Sequence, residues 1–227
     1  MQSTGLHVSP TYLCFAWKRG ASGKMCKSVE GEWKVANIYF ISGPCGSGKT
    51  TLTNALAEYI VKVEKRRQVY VIHGDDFHQG FVTRAYEEGE FWADGQATNQ
   101  LEWLEILKFN WECIIDVAGK ALSRGIDVLI DYVVEDELPL LQKLAKEHDA
   151  KLHYLVLTAS EETITKRIQE RGDVEMVERA LFLKNKLDHL LENQGHLYDN
   201  TGKTVDQEVK EVVEFLKAIR CDCGDVQ

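Results

Sequence analysis

The chain has 227 residues, 44% of them hydrophobic, which suits one domain that buries its own core without disulfides or a structural metal. Its net charge of -9, from 36 acidic and 27 basic residues, argues against non-specific binding to nucleic acid or to an anionic membrane surface. No apolar run approaches the roughly 20 residues that span a bilayer, and the early run Tyr12 to Trp17 is too short for a signal-peptide core.

Residues 1 to 35 show no sustained period and read as a poorly ordered extension, with Met25 a candidate natural start. Asn37 to Ser42 is a short apolar run ending in glycine, as in a buried parallel strand. A helix is predicted over Thr50 to Arg66 and a second strand over Gln68 to His73. The polar, aromatic stretch from Gly74 to Asn99 fits no element well. Asn99 can cap a helix to about Ser123, with Leu101, Leu104, Leu107, Trp111, Ile114, Ala118 and Ala121 as its stripe and Gly125 as its stop. A third strand covers Ile126 to Tyr132, and a helix covers Glu135 to Glu147 with Pro139 near its first turn.

Leu152 to Thr158 is a fourth strand, and Ser160 caps a helix to Arg171 that Gly172 stops. Another helix is predicted over Val174 to Glu192, then a short strand at His196 to Tyr198. The last helix has a capping box in Thr204 and Gln207 and an apolar face of Val209, Val212, Leu216 and Ile219. Strands alternate with helices throughout, so the expected class is α/β, a parallel sheet covered on both faces. Residues 36 to 220 form the expected domain and 221 to 227 a tail.

Gly43-Pro44-Cys45-Gly46-Ser47-Gly48-Lys49-Thr50 matches G-x-x-x-x-G-K-[ST] in full, between a strand and a helix. Glycines let such a loop wrap a phosphate, and its amides at a helix N-terminus point at the anion. Lys49 is then expected on the β and γ phosphates of ATP and the Thr50 hydroxyl on Mg²⁺, with Thr51 next in the cradle. Cys45 becomes a candidate reactive thiol. The other cysteines, Cys14, Cys26, Cys113, Cys221 and Cys223, form no C-x-x-C pair and read as free thiols of a cytoplasmic protein.

His73-Gly74-Asp75-Asp76-Phe77-His78 follows the second strand, at the sheet edge where ligands of open α/β sheets bind. Asp75 or Asp76 there can take a proton from an attacking hydroxyl, whereas His73 and His78 read as surface or core histidines. Asp127-Val128-Leu129-Ile130-Asp131 is an apolar strand ending in a carboxylate, the pattern in which Asp131 would bind Mg²⁺ or its water. Lys166, Arg167, Arg171 and Arg179 form a basic set that could close over a triphosphate, with Arg167 and Arg171 on one helix face. Asn185-Lys186-Leu187-Asp188 spells the guanine-reading N-K-x-D, but its leucines fall at helical spacing, so ATP rather than GTP is expected.

These motifs resemble the P-loop small-molecule kinases, the group containing gluconate, shikimate and nucleoside kinases and the chloramphenicol phosphotransferases. The resemblance covers about residues 36 to 220. It implies a P-loop fold of the nucleoside monophosphate kinase type, with a five-stranded parallel sheet in the order 2-3-1-4-5. It also implies a carboxylate facing the acceptor hydroxyl, matched by Asp75 in one alignment and Asp76 in the other, with Asp75 preferred. Arg167 and Arg171 match the lid arginines of residues 160 to 192, Arg179 less closely, and Asp199 to Gly202 matches the segment against adenine. The acceptor region, residues 79 to 110, departs most from the family and carries Arg84, Glu87, Glu90, Phe91, Trp92 and Trp103, with Trp111 beside it.

The expected activity is transfer of the γ-phosphate of Mg-ATP to a hydroxyl of a sugar acid, nucleoside or antibiotic-like acceptor. The expected catalytic set is Lys49, Asp75, Asp76 and Arg171, in a monomer or homodimer with no nucleic-acid or membrane partner. Two other classes compete. One is a P-loop ATPase or GTPase switch, for which no switch motif is visible. The other is a nucleic-acid-end kinase, which would need a basic track that the charge of -9 does not advertise.

Overall fold

The structure is a computed structural model that describes residues 35–66, 68–81, 92–93, 96–97, 100–133 and 135–218. The tails, Arg84, Glu87, Glu90, Phe91, the Asn99 cap, Ile219 and the side chains of Trp92 and Leu101 lie outside the described residues.

Five parallel strands make the main sheet: β1 (Asn37–Ser42), β2 (Val69–His73), β5 (Asp127–Asp131), β6 (Lys151–Thr158) and β7 (Leu197–Asp199). Their spatial order is β2-β5-β1-β6-β7, which is 2-3-1-4-5 when these strands alone are counted along the chain. Two short strands, β3 (Trp92–Ala93) and β4 (Gln96–Ala97), pair antiparallel outside that sheet. The helices are α1 (Lys49–Lys62), α2 (Gly74–His78), α3 (Gln100–Leu122), α4 (Leu138–Glu147), α5 (Glu161–Arg171), α6 (Met176–His189) and α7 (Val205–Ala218).

The strands read as unbroken apolar runs because both faces of the sheet are buried. Ile38, Phe40, Val128, Ile130, Leu152 and Tyr154 face a core with Trp111 and Ile114 of α3, Leu141 of α4 and Leu187 of α6. Ile41, Leu129, Leu155 and Leu157, one residue out of phase, face Leu52, Leu56 and Ile60 of α1 and Val209 and Val212 of α7. Phe40 is the centre of the first core, stacked on Tyr154 and edge-on to Trp111, both at 5.7 Å between centroids. Removing such a side chain costs about 3–5 kcal/mol, from lost transfer energy and the cavity left behind.

Several predicted limits shift, each for a local reason. Helix α1 ends at Lys62 rather than Arg66, because Lys65 turns to φ 53°. Arg66 then leaves the helix axis to bind the Asp127 carboxylate and the Val35 carbonyl. Helix α4 starts at Leu138 rather than Glu135, because Glu137 Oε2 accepts the backbone N–H groups of Glu135 and Asp136 in a turn ahead of Pro139. Helix α6 runs from Met176 to His189 and stops where Leu190 becomes extended, leaving a single 3-10 turn at Leu191–Asn193. On α3 the apolar stripe does not include Leu104, which is 55% exposed. The face containing Leu107 and Trp111 is continued by Trp103, four residues before Leu107. The Ser160 and Thr204–Gln207 caps form as expected.

Candidate active site

The loop between β1 and α1 turns sharply at its first residue. Gly43 has φ 146°, and a Cβ there would lie 2.3 Å from the carbonyl oxygen of Leu157, so only glycine fits. The carbonyl side of the loop is held from outside. Arg167 Nη1 donates to Ser47 O at 3.1 Å and Gly46 O at 3.4 Å, and Asn200 Nδ2 donates to Ser47 O at 2.9 Å. Inside, Lys49 Nζ donates to Pro44 O at 3.1 Å, and the fully buried Ser47 Oγ has no partner among the described residues. A buried hydroxyl without a partner in a glycine loop fits an anion there, and costs free energy without one.

Thr50 Oγ1 donates to Asp131 Oδ1 at 3.1 Å. The strand order brings them together, because β1 runs into the loop and helix carrying Thr50 while β5, its neighbour, ends at Asp131. A hydroxyl and a carboxylate so placed, next to the phosphate loop, are a donor set suited to Mg²⁺, which takes few protein oxygens and completes its shell with water and phosphate. Among the described residues no cluster of three or more His, Cys, Asp or Glu side chains could hold a metal by itself.

The sequence pattern alone points to a surface or core histidine at His73. Instead its Nδ1 lies 2.5 Å from Asp131 Oδ2, so it belongs to the same group. Beyond His73 the chain packs closely: a Cβ on Gly74 would lie 2.3 Å from the Tyr132 ring. The next residue, Asp75, lines a cleft of about 480 Å³ together with Lys49 and Thr50. The cleft is within the usual range for small-molecule sites, about 300–1,000 Å³. Asp76 is exposed and is not among the residues lining this cleft.

A family profile described as an AAA domain matches residues 40–191. The chain belongs to this family. A guanylate kinase of Hahella chejuensis is 27% identical over 189 residues, covering 77% of this chain and 84% of its own length. A Mycobacterium tuberculosis APS kinase, solved with AMPPNP and APS, superposes with TM-score 0.53 at 14% identity, covering 81% of this chain and 99% of its own. A Sinorhizobium meliloti gluconokinase superposes with TM-score 0.52 at 16% identity over 81% of this chain and 93% of its own. The fold of this AAA-domain chain is therefore that of the P-loop small-molecule kinases.

The basic set of the AAA-domain chain divides. Arg171 lines the cleft, with Nη2 2.9 Å from Cys45 Sγ and 3.0 Å from Asp173. Arg179 also reaches the cleft but is buried against Glu135, 2.7 Å away, which Lys186 engages at 2.5 Å. Arg167 binds the outside of the loop instead of opening onto the cleft, and Lys166 pairs with Glu170 on an exposed face. Burial alone would push the Glu135 carboxyl up, but the Lys186 hydrogen bond and the Arg179 and Lys186 charges outweigh it and hold the carboxyl below its ordinary value.

Trp103 lines the cleft, 5.1 Å from the His78 ring, whereas Trp111 is buried in the core and does not line it. Burial holds His78 below its ordinary value against a smaller opposing pull from Asp75. Asn185 to Asp188 lie inside α6, with Leu187 buried and Lys186 on Glu135, so N-K-x-D does not follow a strand. Among the described residues no helix is long and apolar enough to cross a membrane.

Proposed function

We propose that this chain is an ATP-dependent phosphotransferase that moves the γ-phosphate of Mg-ATP to a hydroxyl of a small molecule. The observation that carries the reading is the 3.1 Å contact between Thr50 and the buried Asp131, with Thr50 lining the same cleft as Asp75. In this reading the amides of Gly46 to Thr50 hold the phosphates, and Lys49 exchanges its Pro44 carbonyl for the β and γ oxygens. Thr50 and Asp131 would hold Mg²⁺, which neutralises charge on the β and γ oxygens when bound. Asp75 accepts the proton of the acceptor hydroxyl as that oxygen bonds to the γ phosphorus and the bond to the β–γ bridging oxygen breaks, leaving ADP. Arg171, at the cleft rim, is placed to stabilise charge spreading over the transferred group.

A phosphate acceptor is the second reading, favoured by the guanylate kinases among the relatives. It is weaker, since Asp75 on the wall serves a hydroxyl that must lose a proton, and a phosphate needs no such base. The test is a transfer assay with labelled ATP against pooled sugars, nucleosides, aminoglycoside-like compounds and nucleoside monophosphates. A labelled phosphorylated alcohol supports the proposal, and a labelled nucleoside diphosphate as the sole labelled product replaces it with the second reading. ADP release without any labelled acceptor would favour an ATPase switch.

A further inference from the structure

We propose that His73 is a positioning residue that sets the Asp131 carboxylate for the metal, an inference that rests on reading Thr50 and Asp131 as the Mg²⁺ pair. Strands β2 and β5 are parallel and in register, with His73 directly beside Asp131 at their carboxyl ends. Asp131 is 1% exposed, and each of its oxygens has its own partner: Oδ1 accepts from Thr50 Oγ1 at 3.1 Å, and Oδ2 lies 2.5 Å from His73 Nδ1. The Nδ1–H tautomer of the imidazole can donate to this carboxylate oxygen. The imidazole therefore anchors Oδ2 and leaves Oδ1 facing Thr50.

The consequence is preorganisation. A carboxylate tied at one oxygen cannot rotate out of the site, so binding a cation costs it little freedom. Outer partners of this kind change metal affinity by about 10–100-fold when removed. His73 is held in turn by its strand. The adjoining Gly74 packs against Tyr132, the residue after Asp131, so both strand ends stay in fixed relation.

The experiment measures Mn²⁺ binding to the full chain carrying a non-hydrolysable ATP analogue, by electron paramagnetic resonance of free Mn²⁺. Variants are His73→Ala, His73→Asn, His73→Gln and Asp131→Asn, with the analogue's metal-free affinity measured alongside. His73→Ala should weaken Mn²⁺ binding by about tenfold or more and leave metal-free nucleotide affinity unchanged. His73→Asn, whose amide N–H can donate from near the Nδ1 position, should recover most of the loss, and His73→Gln, whose amide sits one bond further out, should not. If Asp131→Asn weakens Mn²⁺ binding and His73→Ala does not, His73 is only a structural partner and the proposal fails. If Asp131→Asn also leaves Mn²⁺ affinity at the wild-type level, the metal pair itself is misassigned. Should His73→Ala not fold, equal weakening in the Asn and Gln variants overturns the proposal.

Discussion

Lys49 donates from Nζ to the carbonyl oxygen of Pro44 at 3.1 Å, closing the phosphate loop upon itself. Lys49 is 8% exposed, so this ammonium is held against the loop rather than in solvent. Exchange of one carbonyl for phosphate oxygens gains charge-assisted bonds, each worth about 1.5–3 kcal/mol. Lys49→Ala should therefore lower ATP affinity by roughly tenfold or more, read by calorimetry. Unchanged affinity would remove the phosphate-loop assignment.

Cys45 lies on the cleft, half-buried, with the Arg171 guanidinium 2.9 Å from its sulfur. A nucleotide on the loop would cover that thiol. Alkylation by iodoacetamide should be slowed by Mg-ATP at Cys45 and unaffected at Cys113, which lies on α3 and serves as the internal control. Peptide mapping that found equal protection, or none, at the two cysteines would separate Cys45 from the nucleotide.

Glu135 joins the segment after β5 to α6 through Arg179 and Lys186, and its carboxyl sits below its ordinary value of 4.5. A carboxyl depressed in the fold stabilises it fully above that ordinary value, and the contribution is lost as pH falls through the folded value. The melting temperature of Glu135→Gln should lie below wild type at neutral pH, and the gap should narrow on acidification below pH 4.5. The loss at neutral pH should be smaller than the about 3–5 kcal/mol for breaking a fully buried pair, because Glu135 keeps 22% side-chain exposure. A gap that stays constant with pH would mean that the ion pairs add nothing beyond packing.

How much of this was legible in the sequence depended on the range of each interaction. The phosphate loop, Asp131 and the strand–helix alternation are local patterns, and the structure builds the expected sheet from them. The helix ends were misread because Lys65 and Leu190 leave helical geometry without a Gly or Pro to announce it. His73 was undervalued because its partner is 58 residues away, and the Arg179 partner Glu135, 44 residues away, cannot be paired with it from spacing. Knowing that β2 and β5 are neighbours would have found His73, since both strands end in a side chain of matching chemistry. Trp103 and Trp111 look alike in a helical pattern. Only the position of the sheet, against which Trp111 packs, tells wall from core.

A kinase of this kind needs a base at the acceptor hydroxyl. Asp75 opens onto the cleft at the start of α2, and Asp76, one residue on, is exposed and not among its lining residues. Successive helical residues point about 100° apart, so the two carboxylates cannot serve one acceptor equally. A carboxylate that orients and deprotonates an acceptor hydroxyl contributes about 10²–10⁴-fold in rate and little to nucleotide binding. Asp75→Asn should therefore keep ATP affinity and lose most transfer, with Asp76→Asn milder, as measured by labelled transfer to the acceptor found in the pooled assay. The Asn variant keeps the shape and removes the proton acceptor, so a loss with intact melting temperature reports chemistry rather than folding. The reverse order would move the base to Asp76. If neither change slows transfer, Asp131 becomes the candidate, and if only ATP hydrolysis responds, an ATPase switch replaces the kinase.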